Sequence, residues 1–134
     1  MQGHKMIGQA QARVLALGML LTATSVAFAS EGNVPNTTAS IDAGRALFAN
    51  MCTACHGANG KAQVDVVSDA TDLTEPLLYR NGSTDADIFK SIQKGAGTGM
   101  PAFGAAFKSE AEIGNLRNFI KSLWPAAQRP PVTK

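Results

Sequence analysis

Very little in this sequence declares a function by bulk composition. Of 134 residues only 16% are charged and 6% aromatic, and the chain holds two cysteines, two histidines and one tryptophan. With 45% apolar residues, that composition is ordinary for a globular protein and argues against a disordered tail or a basic nucleic-acid binder. There are no internal repeats, and the length suits one domain rather than two. No apolar run reaches membrane-spanning length; the run at Val14–Leu21 is far too short.

That short run has a different meaning. Met1–Arg13 carries His4, Lys5 and Arg13 and no acid, and Thr22–Ala29 closes on Ala27-Phe28-Ala29. A basic start, an apolar middle and a small-residue end predict a secretory signal peptide over residues 1–29. Its removal leaves 105 residues, Ser30–Lys134, with ten basic and ten acidic side chains. A balanced charge excludes bulk attraction to nucleic acid or to an anionic membrane as the main business. The expected location is periplasmic, with no stable membrane insertion.

Residues 30–39 are polar and read as a flexible lead-in, 40–124 as the domain, and 125–134 as a flexible, proline-rich tail. Within the domain, Gly44, Phe48 and Cys52 recur every four residues beside a ridge of Ala43, Leu47 and Met51. This predicts a helix over Ile41–Cys52 with Ser40 as its N-cap. Residues 57–72 read as loop. Thr74-Glu75-Pro76 opens one or two helical turns that stop at Asn81-Gly82. Thr84 with Asp87 resembles a capping box for a helix ending at Gly95, and Ser109 with Glu112 resembles another. Behind the second, Ile113, Leu116, Ile120 and Leu123 keep an apolar stripe up to Trp124-Pro125. The fold class is all-α, three to four short helices joined by long loops. Such a domain is short of core, so something large and apolar is missing from the sequence.

Cys52-Thr53-Ala54-Cys55-His56 supplies it, gathering both cysteines and the one histidine left after the leader. A structural zinc site needs a second ligand pair, and there is none. A thioredoxin-like redox pair needs a βαβ setting that is missing. A disulfide closing so small a loop stabilises little. Attachment of a c-type haem fits the pattern. Two thiols three positions apart at a helix end project to one side, where they add to the two vinyl groups of a porphyrin. His56, the next residue, is then held beneath the ring and coordinates iron through a ring nitrogen.

The second axial position of the iron is reached by elimination. With the leader gone, only Met51 and Met100 remain as thioethers. Met51 adjoins Cys52 on the proximal side, and helix packing is its preferred role. Met100 lies 44 residues beyond His56 in a glycine-rich loop stiffened by Pro101. Lys94 is the weaker candidate, because its amine must first lose a proton.

The chain resembles the class I monohaem cytochromes c, bacterial and cytochrome c6-like, over about 80 residues from Asp42 to Leu123. The resemblance rests on Gly44-Arg45-Ala46-Leu47-Phe48 leading into the cysteine motif, on Gly99-Met100-Pro101-Ala102-Phe103-Gly104, and on Leu116, Phe119 and Ile120. It implies the class I cytochrome c fold around one covalent haem c, with crossing N- and C-terminal helices and Gly44 at the contact. It also implies Cys52 and Cys55 as thioether donors and His56 and Met100 as axial iron ligands. One departure matters: family members often orient the histidine with a proline carbonyl, whereas Asp69-Ala70-Thr71-Asp72-Leu73 has no proline.

The function expected is a monomeric single-electron carrier between redox proteins of the dehydrogenase or oxidase type, not an enzyme. Two alternatives are a haem subunit bound permanently to a larger dehydrogenase or oxidase, and a peroxide- or gas-binding haem protein. Residues 30–89 carry a charge balance of −5 and residues 90–134 one of +5, which makes Lys94 and Lys108 candidates for a positive docking rim. The leader gives the first test. Intact mass of the exported protein should correspond to 105 residues plus one haem, starting at Ser30; a full-length, membrane-retained product would overturn it.

Overall fold

A computed structural model of the protein describes residues 32–63, 65 and 69–134. The leader expected over residues 1–29 lies outside them. Four α-helices follow one another: α1 (Thr38–Met51), the single turn α2 (Thr53–His56), α3 (Asp85–Lys94) and α4 (Glu110–Ser122). Short 3₁₀ turns lie at Pro76–Leu78, Gly104–Ala106 and Ala126–Gln128, and the described residues contain no strand beyond two isolated bridges. No helix among them is long and apolar enough to cross a membrane.

The helix starts follow capping chemistry, in places shifted from the sequence reading. α1 opens at Thr37 rather than Ser40. The Thr37 hydroxyl accepts from the Ser40 amide and the Ser40 hydroxyl accepts from the Thr37 amide, each at 3.1 Å, so serine fills the position where a glutamate usually reaches back. At α3 the expected box forms, with Thr84 and Asp87 exchanging bonds of 3.2 Å, and Gly95 at φ +87° ends the helix. At α4 the Ser109 side chain makes no cap. The Glu112 carboxylate instead accepts from the Lys108 amide at 2.7 Å, satisfying a donor one residue farther out.

The core forms where α1 crosses α4. A β-carbon on Gly44 would sit 2.1 Å from the Asn115 carbonyl oxygen and 2.8 Å from the Phe119 β-carbon, so the backbones approach this closely only because glycine has none. Phe48 and Phe119 then meet with ring centroids 5.1 Å apart, over a buried cluster that includes Leu116, Ile113 and Ile120. Ile88 and Ile92 bring α3 onto the same cluster.

Residues 32–37, which the sequence places in a lead-in outside the domain, lie against α4. A β-carbon on Gly114 would be 2.5 Å from the Gly32 carbonyl oxygen. Arg117, 5% exposed, donates to the carbonyls of Gly32 (3.1 Å) and Val34 (3.0 Å), while Asn118 donates to those of Val34 and Pro35. The tail is tied to the same segment: Asn36 donates to the carbonyls of Pro130 and Pro131, and the Thr133 amide donates to Asn36 at 2.8 Å. These segments have no apolar period because their hold is by hydrogen bonds to backbone rather than by a greasy face.

Gly44→Ala must push α1 and α4 apart. We expect a loss of about 3 kcal/mol or more, the upper range for an overpacked core, seen as a lower denaturant midpoint with an unchanged slope.

Candidate functional site

The end of α1 and the single turn of α2 present the cysteine motif. Cys52 closes α1, its carbonyl accepting from the amides of Cys55 (3.2 Å) and His56 (2.9 Å). Gly57, at φ +71°, turns the chain back. The returning loop then caps the carbonyls that α2 leaves open. Ala62 donates to His56 at 3.0 Å, the Gln63 amide to Cys55 at 2.9 Å, and the Gln63 side chain to Thr53 at 2.8 Å. Ala62 itself stands at φ +71°, a conformation that costs a non-glycine residue about 1–2 kcal/mol and is held by these bonds. The turn carrying both thiols and the imidazole is thereby braced on its backbone.

His56 is oriented from the other side of the loop. Its Nδ1 lies 2.9 Å from the Thr71 carbonyl oxygen. A carbonyl only accepts, so Nδ1 carries the proton and Nε2 keeps the lone pair for a metal. Thr71 thus provides the carbonyl that a proline often provides in the family the sequence resembles. Cys52 and Cys55 are free thiols, both half-buried. Burial, reinforced by the neighbouring Cys55, pushes the Cys52 thiol up to about 11.

Met100 is carried by a closed loop after α3. Ala96 and Met100 exchange backbone bonds of 3.0 and 3.4 Å, and Phe103 donates to Ile92 at 2.9 Å, tying the loop to α3. The glycines let neighbours press on the loop's backbone: a β-carbon on Gly97 would meet the Arg80 Nε at 2.8 Å, and one on Gly99 the Asp69 carboxylate at 2.5 Å.

Two adjoining cavities share Cys52, His56, Thr71, Arg80, Met100 and Phe103 in their walls. Phe48, Leu73, Ile88, Ile92, Leu116 and Ile120 give the first an apolar lining drawn from α1, α3 and α4. Cys55, Met51 and Asp69 join the wall of the second. An apolar space with thiols and an imidazole on one element and a thioether on another suits a large flat macrocycle with a coordinated metal. Among the described residues no cluster of three or more His, Cys, Asp or Glu could hold a bare metal ion.

All four sequence-predicted site residues therefore line these adjoining cavities, Cys55 only the second, and Met51, expected to pack within its helix, borders the second as well. Lys94 and Lys108 line neither cavity; the charged side chains that do are Arg80 and Asp69. Sequence reasoning missed Thr71, Arg80 and Tyr79. The Tyr79 hydroxyl donates to the Leu73 carbonyl at 2.7 Å and accepts from the Trp124 indole at 2.9 Å, fixing the loop end against α4. Its only sequence signal was that single tyrosine standing before Arg80-Asn81-Gly82.

The family model for cytochrome c oxidase, cbb3-type, subunit III matches residues 39–120. The cbb3-type oxidase subunit FixP of Azorhizobium caulinodans is 33% identical over 101 residues, covering 70% of this chain and 33% of FixP. Cytochrome c6 of Picosynechococcus sp. is 32% identical over 111 residues, covering 81% of this chain and 91% of that protein. The chain spans about a third of the length of the cbb3 relatives it matches. Cytochrome cL of Methylophaga aminisulfidivorans has a similar fold, with a TM-score of 0.56 at 24% identity over 66% of this chain and 57% of that one.

Tyr79→Phe strips the Leu73 carbonyl of its donor and the Trp124 indole of its acceptor, an expected loss of about 1–3 kcal/mol in denaturant unfolding. Burial lifts the Tyr79 hydroxyl to about 12, against about 10 in an unfolded chain. The stability gained from keeping it neutral is complete below about pH 10 and vanishes as pH rises through about 12. The phenylalanine variant should lack that alkaline component; an equal alkaline loss in both proteins would refute the assignment.

Proposed function

The chain belongs to the cytochrome c family matched by the cbb3 oxidase subunit III model, as a class I monohaem cytochrome with one covalent haem c, and from that premise we propose that it is a periplasmic single-electron carrier. In this reading Cys52 and Cys55 would hold the haem through thioethers, and His56 and Met100 would coordinate its iron. One observation above all supports it: Cys52, His56 and Met100, from the α1–α2 junction and from the loop after α3, line both of the adjoining cavities.

The haem supplies the one-electron couple, and a His/Met pair raises its potential. The chain's own residues do the rest. The Thr71 carbonyl holds the imidazole with Nε2 free to coordinate. The Ala96–Met100 closure and the Phe103 bond to Ile92 hold the thioether in place. Phe48, Leu116 and Ile120 exclude water, so little has to reorganise when an electron comes or goes. With His56 and Met100 both committed to the iron, no coordination site would be left for a substrate. Export by residues 1–29 belongs to the same reading.

A second reading, a haem subunit of a larger oxidase, draws on the cbb3 relatives, but the match to 91% of a cytochrome c6 favours the independent carrier. Gel filtration after mild extraction separates the two: the carrier elutes alone, the subunit with its complex. For the ligands, wild-type ferric protein should be low-spin with a sulfur-to-iron charge-transfer band in the near infrared. Met100→Ala should abolish that band, admit carbon monoxide and lower the potential. If Met51→Leu did this and Met100→Ala did not, the assignment would be wrong.

A further inference from the structure

We propose that Met51 is an oxidation site that guards the cavity: hydrogen peroxide converts its thioether to the sulfoxide and thereby spares Met100. The inference rests on the haem reading above. Once residues 1–29 are removed, Met51 and Met100 are the two methionines of the chain. Both line the second cavity, Met51 from the last residue of α1 and Met100 from the loop after α3. Of the two, Met100 alone also lines the first.

Packing separates the two. Ile41, Gly44 and Phe48 are buried on α1, and Leu47 and Cys52 pack against the edge of the core. Met51, one turn beyond Leu47, is half-buried. It belongs neither to the buried cluster nor to the described side chains packed against it, whereas Met100 is one of those side chains. The helix-packing role expected for Met51 is therefore one that its position hardly fills. What distinguishes a methionine there from a leucine is its soft, oxidisable sulfur.

Chemistry separates them further. In the ligand set proposed above, the Met100 sulfur gives a lone pair to iron, and with His56 opposite it no coordination position is open to peroxide. The Met51 sulfur keeps both lone pairs. One of them attacks the peroxide: an S–O bond forms, the O–O bond breaks, and the departing hydroxide leaves as water with the proton of the transferred oxygen. The sulfur loses two electrons and the peroxide gains them, so no further reactant is needed. A sulfoxide is polar and disrupts a core, but at Met51 it meets the cavity wall rather than the Phe48–Phe119 contact. Sulfoxide reductases restore the thioether, so the site can be used again. Cys52 and Cys55 are committed to the haem in the same reading, and Trp124 is buried.

The test is peptide mass spectrometry of the ferric holoprotein after limiting hydrogen peroxide, read beside the near-infrared band. Wild type should carry one added oxygen on the peptide that contains Met51, none on the peptide that contains Met100, and keep its band. Met51→Leu, close in volume but without the sulfur, should start with the same band. Under the same dose it should lose that band severalfold faster, with the oxygen now on Met100. Oxygen on Met100 before Met51 overturns the inference, as does a Met51→Leu protein that loses its band no faster than wild type. Should Met51→Leu fail to mature, Met51→Ala carries the same comparison with the same two outcomes. A wild-type protein without covalent haem, or without the band before peroxide is added, would instead sink the functional reading on which this one stands.

Discussion

The close crossing of α1 over α4 at Gly44 is the constraint from which the rest of the arrangement follows. With the Gly44 backbone against Asn115 and Phe119, Phe48 is driven into the core and α1 ends with Cys52 at the edge of the apolar cavity. Since α2 continues directly from Cys52, the same contact aims the turn that carries Cys55 and His56. A wider crossing would move the whole motif relative to α3 and the methionine loop. A helix contact and a cofactor site are here one mechanical unit.

The long loops have a different means of support. Leu73 reaches the core and Tyr79, Met100, Phe103 and Phe107 pack against it, and between these anchors the loops are held by backbone groups paired with one another: Ala62 and Gln63 on α2, Leu73 on Gly60, Phe103 on Ile92. Such bonds contribute only about 1 kcal/mol each, but they specify geometry. The cavity walls that these loops complete include Leu116, Ile92 and Phe48, residues whose burial around a macrocycle would add the apolar contact that so small a domain lacks. Site and core share the same side chains, so occupying the site and stabilising the fold are coupled.

Two arginines show how differently one residue type is used. Arg117 is buried on α4, its donors spread over the carbonyls of Gly32 and Val34 and the side chain of Asn118, with Asp85 3.6 Å away. Removing a partner from such a charge is costly because water cannot replace it. Arg80 is exposed, rests on Gly97 and borders the cavity. The first closes the fold around residues 32–37; the second is left available at the mouth of the site.

Most of the local chemistry was legible in the sequence. The Cys52-to-His56 spacing, the Thr84–Asp87 cap and the apolar stripe of α4 are short-range patterns, whereas the glycine at the helix crossing was expected from the resemblance to the class I cytochromes c. They determined an all-α domain with a haem attachment motif and nominated Met100 by elimination. Tertiary structure alone decided that the Thr71 carbonyl meets His56, 15 residues earlier, because any residue offers a carbonyl and nothing in its side chain announces the role. It likewise decided that Arg80 and Asp69, rather than Lys94 and Lys108, border the cavities, since a charge in a loop has no period to show which way it faces. Residues 32–37 joined the domain for the same reason: their partner is Arg117, more than 80 positions away, and hydrogen bonds to backbone leave no mark in composition.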